Sequence, residues 1–197
     1  MSENRKSINQ SITTSLRKRC GRKTHNKMKY DNAKINAEFE KNLEETKQAL
    51  TSLSFCQTAE VDKLLKGWVF EQTIVKCLQK EFNGELKIEQ QFKFSSFDIQ
   101  DGQKSRGTAD LAIDCKSRKL LVEIKHSGIF DKEGIEKHKK YRKLIEDNGF
   151  QYLYLSKSET YEPYAEKYRE VFGKENVFLL DVEGDWKRFI ELINNHK

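Results

Sequence analysis

The chain has 197 residues, of which 35% are charged and 36% hydrophobic, and a formal net charge of +6. That length supports one sizeable core with extensions, and no stretch approaches the roughly 20 apolar residues of a membrane span. The start, Met1-Ser2-Glu3-Asn4-Arg5, has no apolar signal-peptide core behind it, and Cys20, Cys56, Cys77 and Cys115 are scattered, so an intracellular chain with reduced thiols is expected (cytoplasm or nucleoid, nucleus in a eukaryote).

Residues 1–36 hold ten Lys or Arg against Glu3 and Asp31, a net +8 that leaves −2 for the remainder. Residues 1–34 therefore read as a basic arm, too poor in apolar side chains to fold alone. Its cluster Arg17, Lys18, Arg19, Arg22 and Lys23 suits contacts to backbone phosphates, or a solubilising or targeting tail. Residues 35–58 form a helical extension: Ile35, Phe39, Leu43 and Leu50 fall near one face of a helix over 35–53, followed by a polar connection. Residues 59–197 form the core. It opens with a helix over 60–82, whose stripe Leu64, Trp68, Val75, Leu78 and Phe82 marks its buried face. That helix stops at Asn83-Gly84. Glu85–Phe94 alternates as a first strand with Leu86, Ile88 and Phe92 inward, and 95–106 is a polar loop.

The next segment carries the chemistry. Thr108–Cys115 and Leu120–Lys125 both alternate with period two, joined by the polar turn Lys116-Ser117-Arg118-Lys119. Leu111, Ile113 and Cys115 share one face, as do Val122 and Ile124; Asp110, Glu123 and Lys125 lie on the opposite faces. If the turn centres on Lys116-Ser117, Asp110 stands across the ladder from Glu123, within reach of a shared ion. Two adjacent carboxylates repel, and a divalent cation removes that cost. A metal activates water and stabilises charge on phosphorus, and a lysine beside it orients the water or neutralises the developing negative charge. Glu71 lies inside the stripe of the 60–82 helix, where an acid needs a partner.

Asp131–Asn148 reads as a helix anchored by Ile135, Tyr141 and Leu144. Lys137 and Lys140 belong to its basic face, a second candidate nucleic-acid surface, and His138 is expected to be exposed among these lysines. Gln151–Ser156 and Val177–Val182 are continuous apolar runs typical of buried parallel strands. Helices at 162–172 and 186–194 complete an α/β chain with a mixed central sheet flanked by helices. His126 points away from the acids by parity and is expected to pack. No His-Glu-x-x-His, Cys-x-x-Cys, Gly-Lys-Ser/Thr or Gly-x-Gly-x-x-Gly motif occurs, which removes support for zinc hydrolase, nucleotide triphosphatase and dinucleotide readings.

Asp110 followed by Glu123-Ile124-Lys125, with Gly67-Trp68-Val69-Phe70-Glu71 on the preceding helix, resembles the PD-(D/E)XK nuclease superfamily, in feel its Holliday-junction-resolvase and Mrr-type cores. The resemblance covers roughly residues 60–156, and Ala109 stands where the family's proline falls. It implies a restriction-endonuclease-like core ordered helix, three-stranded meander, helix, strand. It implies catalysis by Asp110, Glu123, Lys125 and Glu71. It also implies Mg²⁺, with Mn²⁺ substituting, held by Asp110, Glu123, Glu71 and the Ile124 carbonyl. The expected activity is cleavage of duplex or branched DNA by a homodimer. The family's exonuclease branches carry a glutamine where Lys137 stands four residues before Tyr141, which counts against that branch. Rival readings are a non-catalytic DNA- or RNA-binding protein on a degenerate nuclease fold, and an RNase.

Overall fold

The computed structural model describes residues 29–52, 59–97, 107–127, 130–157 and 162–197. The arm cluster Arg17, Lys18, Arg19, Arg22 and Lys23 and most of the 95–106 loop lie outside the described residues. Helix α1 (Asn32–Ser52) is capped by Asp31, whose carboxylate accepts the Lys34 N–H at 2.9 Å. Helix α2 (Ala59–Glu81) stops where Asn83 and Gly84 take positive φ and the Gly84 N–H donates to the Gln79 carbonyl. Then come β1 (Lys87–Lys93), β2 (Thr108–Asp114), β3 (Lys119–Lys125), α3 (Lys132–Asp147), β4 (Gln151–Ser156), α4 (Glu162–Phe172), β5 (Val177–Leu179) and α5 (Asp185–His196).

The five strands lie in chain order. β1, β2 and β3 form an antiparallel meander, and β4 and β5 add parallel to β3. Helix, meander, helix, strand is the expected order. The hairpin register is also the expected one, with Leu111 opposite Val122 and Asp114 opposite Lys119. The sheet is buried on both faces. Leu111, Ile113, Leu120, Val122, Leu153 and Leu155 pack under α1, α2 and α5. Ala112, Leu121, Tyr152, Tyr154, Val177 and Leu179 pack under α3 and α4.

Helix α1 shares the first of these cores. Ile35, Phe39 and Leu43 are buried there with Phe70 and Trp186. Asn32 ties its start to the far end of the chain: its amide donates to the carbonyls of Leu180 and Val182 and accepts the Trp186 N–H. The backbone N–H groups of Lys29 and Tyr30 donate to the Glu81 carboxylate.

Three expectations change. In α2 the buried face is Val69, Phe70, Ile74, Cys77 and Leu78, whereas Leu64 is 74% and Trp68 56% exposed. Of the expected stripe, Val75, Leu78 and Phe82 are buried, and its first part, Leu64 and Trp68, lies outside the core. His138 is buried, 4% exposed, because it shares the inward face of α3 with Ile135, Tyr141 and Ile145. Phe92 points under α3 and α4 although Ile88 packs under α1 and α2. The alternation breaks between them at Gln91, which has φ of 54°.

Candidate active site

The break at Gln91 builds the site. Gln90 pairs with Leu111 and Phe92 with Ala109, which sets Gln91 opposite Asp110. Strand β2 breaks step at the same level: Leu111 faces one core, while Ala109 and Ala112 face the other. The β2–β3 ladder ends there too, its last pair being Leu111–Val122. Beyond it the Ile124 N–H donates 2.7 Å to the Asp110 carboxylate instead of to a strand carbonyl. The two strands thus fork at the acids.

Lys125 lies in the fork. Its Nζ is 2.5 Å from Glu123 Oε1 and 3.8 Å from Asp110 Oδ2. Helix α2 brings Glu71 to the same place, where the Gln91 amide reaches its two oxygens at 3.4 and 3.5 Å. Glu71, Asp110, Ile124 and Lys125 line one cleft of about 500 Å³, with Glu60, Lys63, Leu64, Gly67, His126 and Ser127 around it. Of the twelve residues expected to act, four are therefore brought together with Glu123 beneath them. Lys137 and Lys140 are exposed on α3, and Lys137 lies over the Tyr141 ring at 5.3 Å.

The electrostatics record burial and, after it, carboxylate crowding. Burial, then the charge of Glu123, raises the pKa of Asp110; the Lys125 charge and the Ile124 N–H work against that rise. Burial, then Asp110, raises Glu71. Burial pulls Lys125 down, but Glu123 and Asp110 together outweigh it and its pKa is raised. Lys125 therefore remains a cation, and it supplies the counter-charge to these acids. Among the described residues no three His, Cys, Asp or Glu side chains already form a metal cluster. The donors available are carboxylate oxygens with a main-chain carbonyl beside them. That all-oxygen set suits Mg²⁺ or Mn²⁺ and not zinc.

Sequence reasoning missed three residues of this site. Tyr152 is fully buried on β4, and its hydroxyl donates to Glu123 Oε2 at 3.4 Å. His138 Nδ1 lies 2.9 Å from that hydroxyl, and its Nε2 3.9 Å from Glu123 Oε1. Burial, then Lys125, lowers the pKa of His138 to about 4, so the ring is neutral at pH 7. With Tyr152 donating to Glu123, Nδ1 carries the ring proton and donates to the hydroxyl oxygen. Spacing along α3 would have found His138. Tyr152 sits directly before Leu153 in an unbroken apolar run and carries no local signal, and Gln91 is polar in a strand of polar residues.

Gly107 matters for a steric reason. A Cβ there would lie 2.6 Å from the Tyr141 ring and closer still to Phe94. The residues leading into Asp110 run through that narrow slot. His126 packs against Phe39 and Phe70, as expected. Asp114 points away from the site and pairs with Lys87 and Lys119. Among the described residues no helix is long and apolar enough to cross a membrane.

No protein-family model and no curated protein matches this sequence. Among solved structures the chain is similar to that in "Restriction endonuclease PspGI-substrate DNA complex", with a TM-score of 0.46 and 14% identity over 84% of this chain and 66% of that one. It is also similar to protein VC1899 from Vibrio cholerae, with a TM-score of 0.47 and 13% identity over 84% of this chain and 50% of that one. The chain thus spans less than two thirds of the first and half of the second.

Proposed function

We propose that this protein is a metal-dependent endonuclease that hydrolyses phosphodiester bonds in DNA. The observation that carries the reading is the convergence, in one open cleft, of Asp110, Lys125 and Glu71 above Glu123. Four residues from three elements meet there, and the fold spends a strand fork and a left-handed Gln91 on bringing them together.

Asp110, Glu123 and the Ile124 carbonyl would hold the metal, with Glu71 as a further ligand, directly or through water. When bound, Mg²⁺ or Mn²⁺ lowers the pKa of water and stabilises negative charge on the phosphoryl oxygens. Lys125 keeps its proton at neutral pH and donates hydrogen bonds to the attacking water or to a phosphate oxygen. The pKa of Asp110 and Glu71 is raised by burial first and by neighbouring carboxylates second, and a divalent cation would offset both. Lys137 and Lys140 on α3, and the arm cluster Arg17, Lys18, Arg19, Arg22 and Lys23, would contact phosphates beyond the cleft. Cutting both strands of a duplex calls for two such sites, and a homodimer supplies them.

A second reading has its own support. Lys125 already sits among the acids, and the described residues hold no preformed three-ligand cluster. A nucleic-acid-binding protein with an unused site is compatible with that arrangement. Cleavage of labelled linear duplex, four-way junction, single-stranded DNA and RNA, in Mg²⁺, Mn²⁺ or EDTA, separates the readings. Metal-dependent cutting that disappears in Asp110→Ala and Lys125→Ala is the expected result. Cutting confined to RNA makes the protein an RNase. Salt-sensitive binding with no cutting of any substrate leaves the binding protein.

A further inference from the structure

Helix α2 carries a feature that the phosphodiester chemistry does not use. Leu64 and Trp68 are one helical turn apart and are the two most exposed large apolar residues among those described. Leu64 lines the cleft, and Trp68 lies one turn before Glu71 on the same side of α2. Between them Gly67 also lines the cleft, and a Cβ added there would meet nothing within 4 Å. Glycine in mid-helix is unfavourable relative to alanine, and neither φ nor packing requires it at this position. The sequence thus keeps a bare, flat step in the wall of a charged cleft, with an exposed indole on the very next residue. Lys63 lines the same stretch of wall and makes no ion pair among the described residues, while Glu60 stands at its end.

We propose that Leu64, Gly67 and Trp68 form a shelf that receives one unstacked nucleobase flanking the phosphate held at Asp110, so that the preferred substrate has unpaired nucleotides at the cut. The proposal rests on the nuclease reading of the adjoining acids for the position of that phosphate. An indole offers a flat face to any base, and a flat wall without a Cβ lets the sugar–phosphate backbone approach the helix closely. Lys63 is positioned for the adjacent phosphate. A base paired inside a duplex has both faces stacked and cannot use the shelf. Single strands, flaps and junction branch points can.

Tryptophan fluorescence tests this on the whole protein. Trp186 is fully buried and serves as the silent reference, so a base stacking on Trp68 is read as quenching. In EDTA, single-stranded and flapped oligonucleotides are expected to quench the emission and a blunt paired duplex is not. Trp68→Ala is expected to weaken binding of the unpaired substrates by roughly 5- to 150-fold, the range that base–aromatic stacking spans, and Trp68→Tyr to restore most of it. Gly67→Ala is expected to raise the melting temperature while weakening the same binding, a pair of opposite changes that a purely structural glycine would not give. Metal-dependent cleavage without any quenching overturns the shelf and leaves the nuclease reading intact. Quenching without cleavage in any metal upholds the shelf and removes the nuclease reading. Emission that changes with protein concentration instead of nucleic acid, together with a dimer lost in Trp68→Ala, assigns the surface to a second copy of the chain and overturns the proposal.

Discussion

The Ile124 N–H donates to the Asp110 carboxylate at 2.7 Å, so a side chain closes the gap that the β2–β3 ladder leaves beyond Leu111 and Val122. Asp110 therefore has a structural task alongside its proposed catalytic one, and the two are separable. Asp110→Asn keeps an acceptor for that N–H and removes a charge that burial and Glu123 already disfavour. Asp110→Ala leaves the N–H unpaired, at a cost of about 1–3 kcal/mol. Denaturant unfolding in EDTA is expected to show Asp110→Asn at least as stable as the parent and Asp110→Ala clearly weaker. Phosphodiester cleavage should fall in both by roughly two to three orders of magnitude. Equal stability of the two variants would remove the fork contact from the account of the fold.

Among the described residues Lys125 is the one lysine or arginine paired with Glu123, and it also faces Asp110. Lys125→Met removes that counter-charge and leaves crowded carboxylates, a loss of about 3–5 kcal/mol for breaking such a partly buried pair. A divalent cation binding only the folded state restores stability by mass action. The expected result is a melting temperature that falls in EDTA and recovers in Mn²⁺, by a larger increment than the parent gains. A variant whose melting is indifferent to Mn²⁺ would leave the carboxylates without a metal-binding role, whatever its activity.

Much of this site could be read before the structure, and the failures have physical causes. Centring the short polar turn on Lys116-Ser117 placed Leu111 opposite Val122 correctly, because a short turn between two strands leaves few registers open. Glu71 was legible as an acid among apolar neighbours, but the neighbours were misread. Leu64 lines the cleft and Trp68 is exposed, whereas Val75 and Leu78 do face the core, with Val69, Phe70 and Ile74 beside them. A helix with apolar residues on more than one face has no single stripe, so periodicity alone could not choose. His138 was lost to its lysine neighbours, although it lies three residues from both Ile135 and Tyr141. Gln91 had no signal at all, since a positive φ at glutamine is set by the tertiary fork and not by local preference.

Tyr152 joins His138 to Glu123 beneath the cleft. It touches neither solvent nor any substrate position, so it acts by holding the Glu123 carboxylate in place. Tyr152→Phe keeps the ring and removes the bond. Loss of such a supporting contact lowers metal affinity or turnover by about 10- to 100-fold. Turnover is expected to fall, and the metal concentration for half-maximal rate to rise, with KM for DNA unchanged. A change in KM alone would place Tyr152 on the substrate side of the site.

His138 makes folding stability depend on pH with a definite sign. Its folded pKa of about 4 lies below the ordinary 6.5, because burial and then Lys125 oppose its charged form. Between these values the unfolded chain binds a proton that the folded chain does not, so stability falls as pH falls from 6.5 towards 4. The full loss is roughly 3 kcal/mol for a shift of this size. His126, whose pKa burial also lowers, adds to the same slope. Asp110 and Glu71 oppose it, since their raised values mean that the folded state binds protons first. His138→Phe is expected to flatten the slope between about pH 6.5 and 4.5 without abolishing it, as read by urea unfolding across that range. If His138 were instead protonated and paired with Glu123 at 3.9 Å, its folded pKa would lie above 6.5. The parent would then lose stability as pH rose past neutrality, and His138→Phe would remove a loss of that opposite sign.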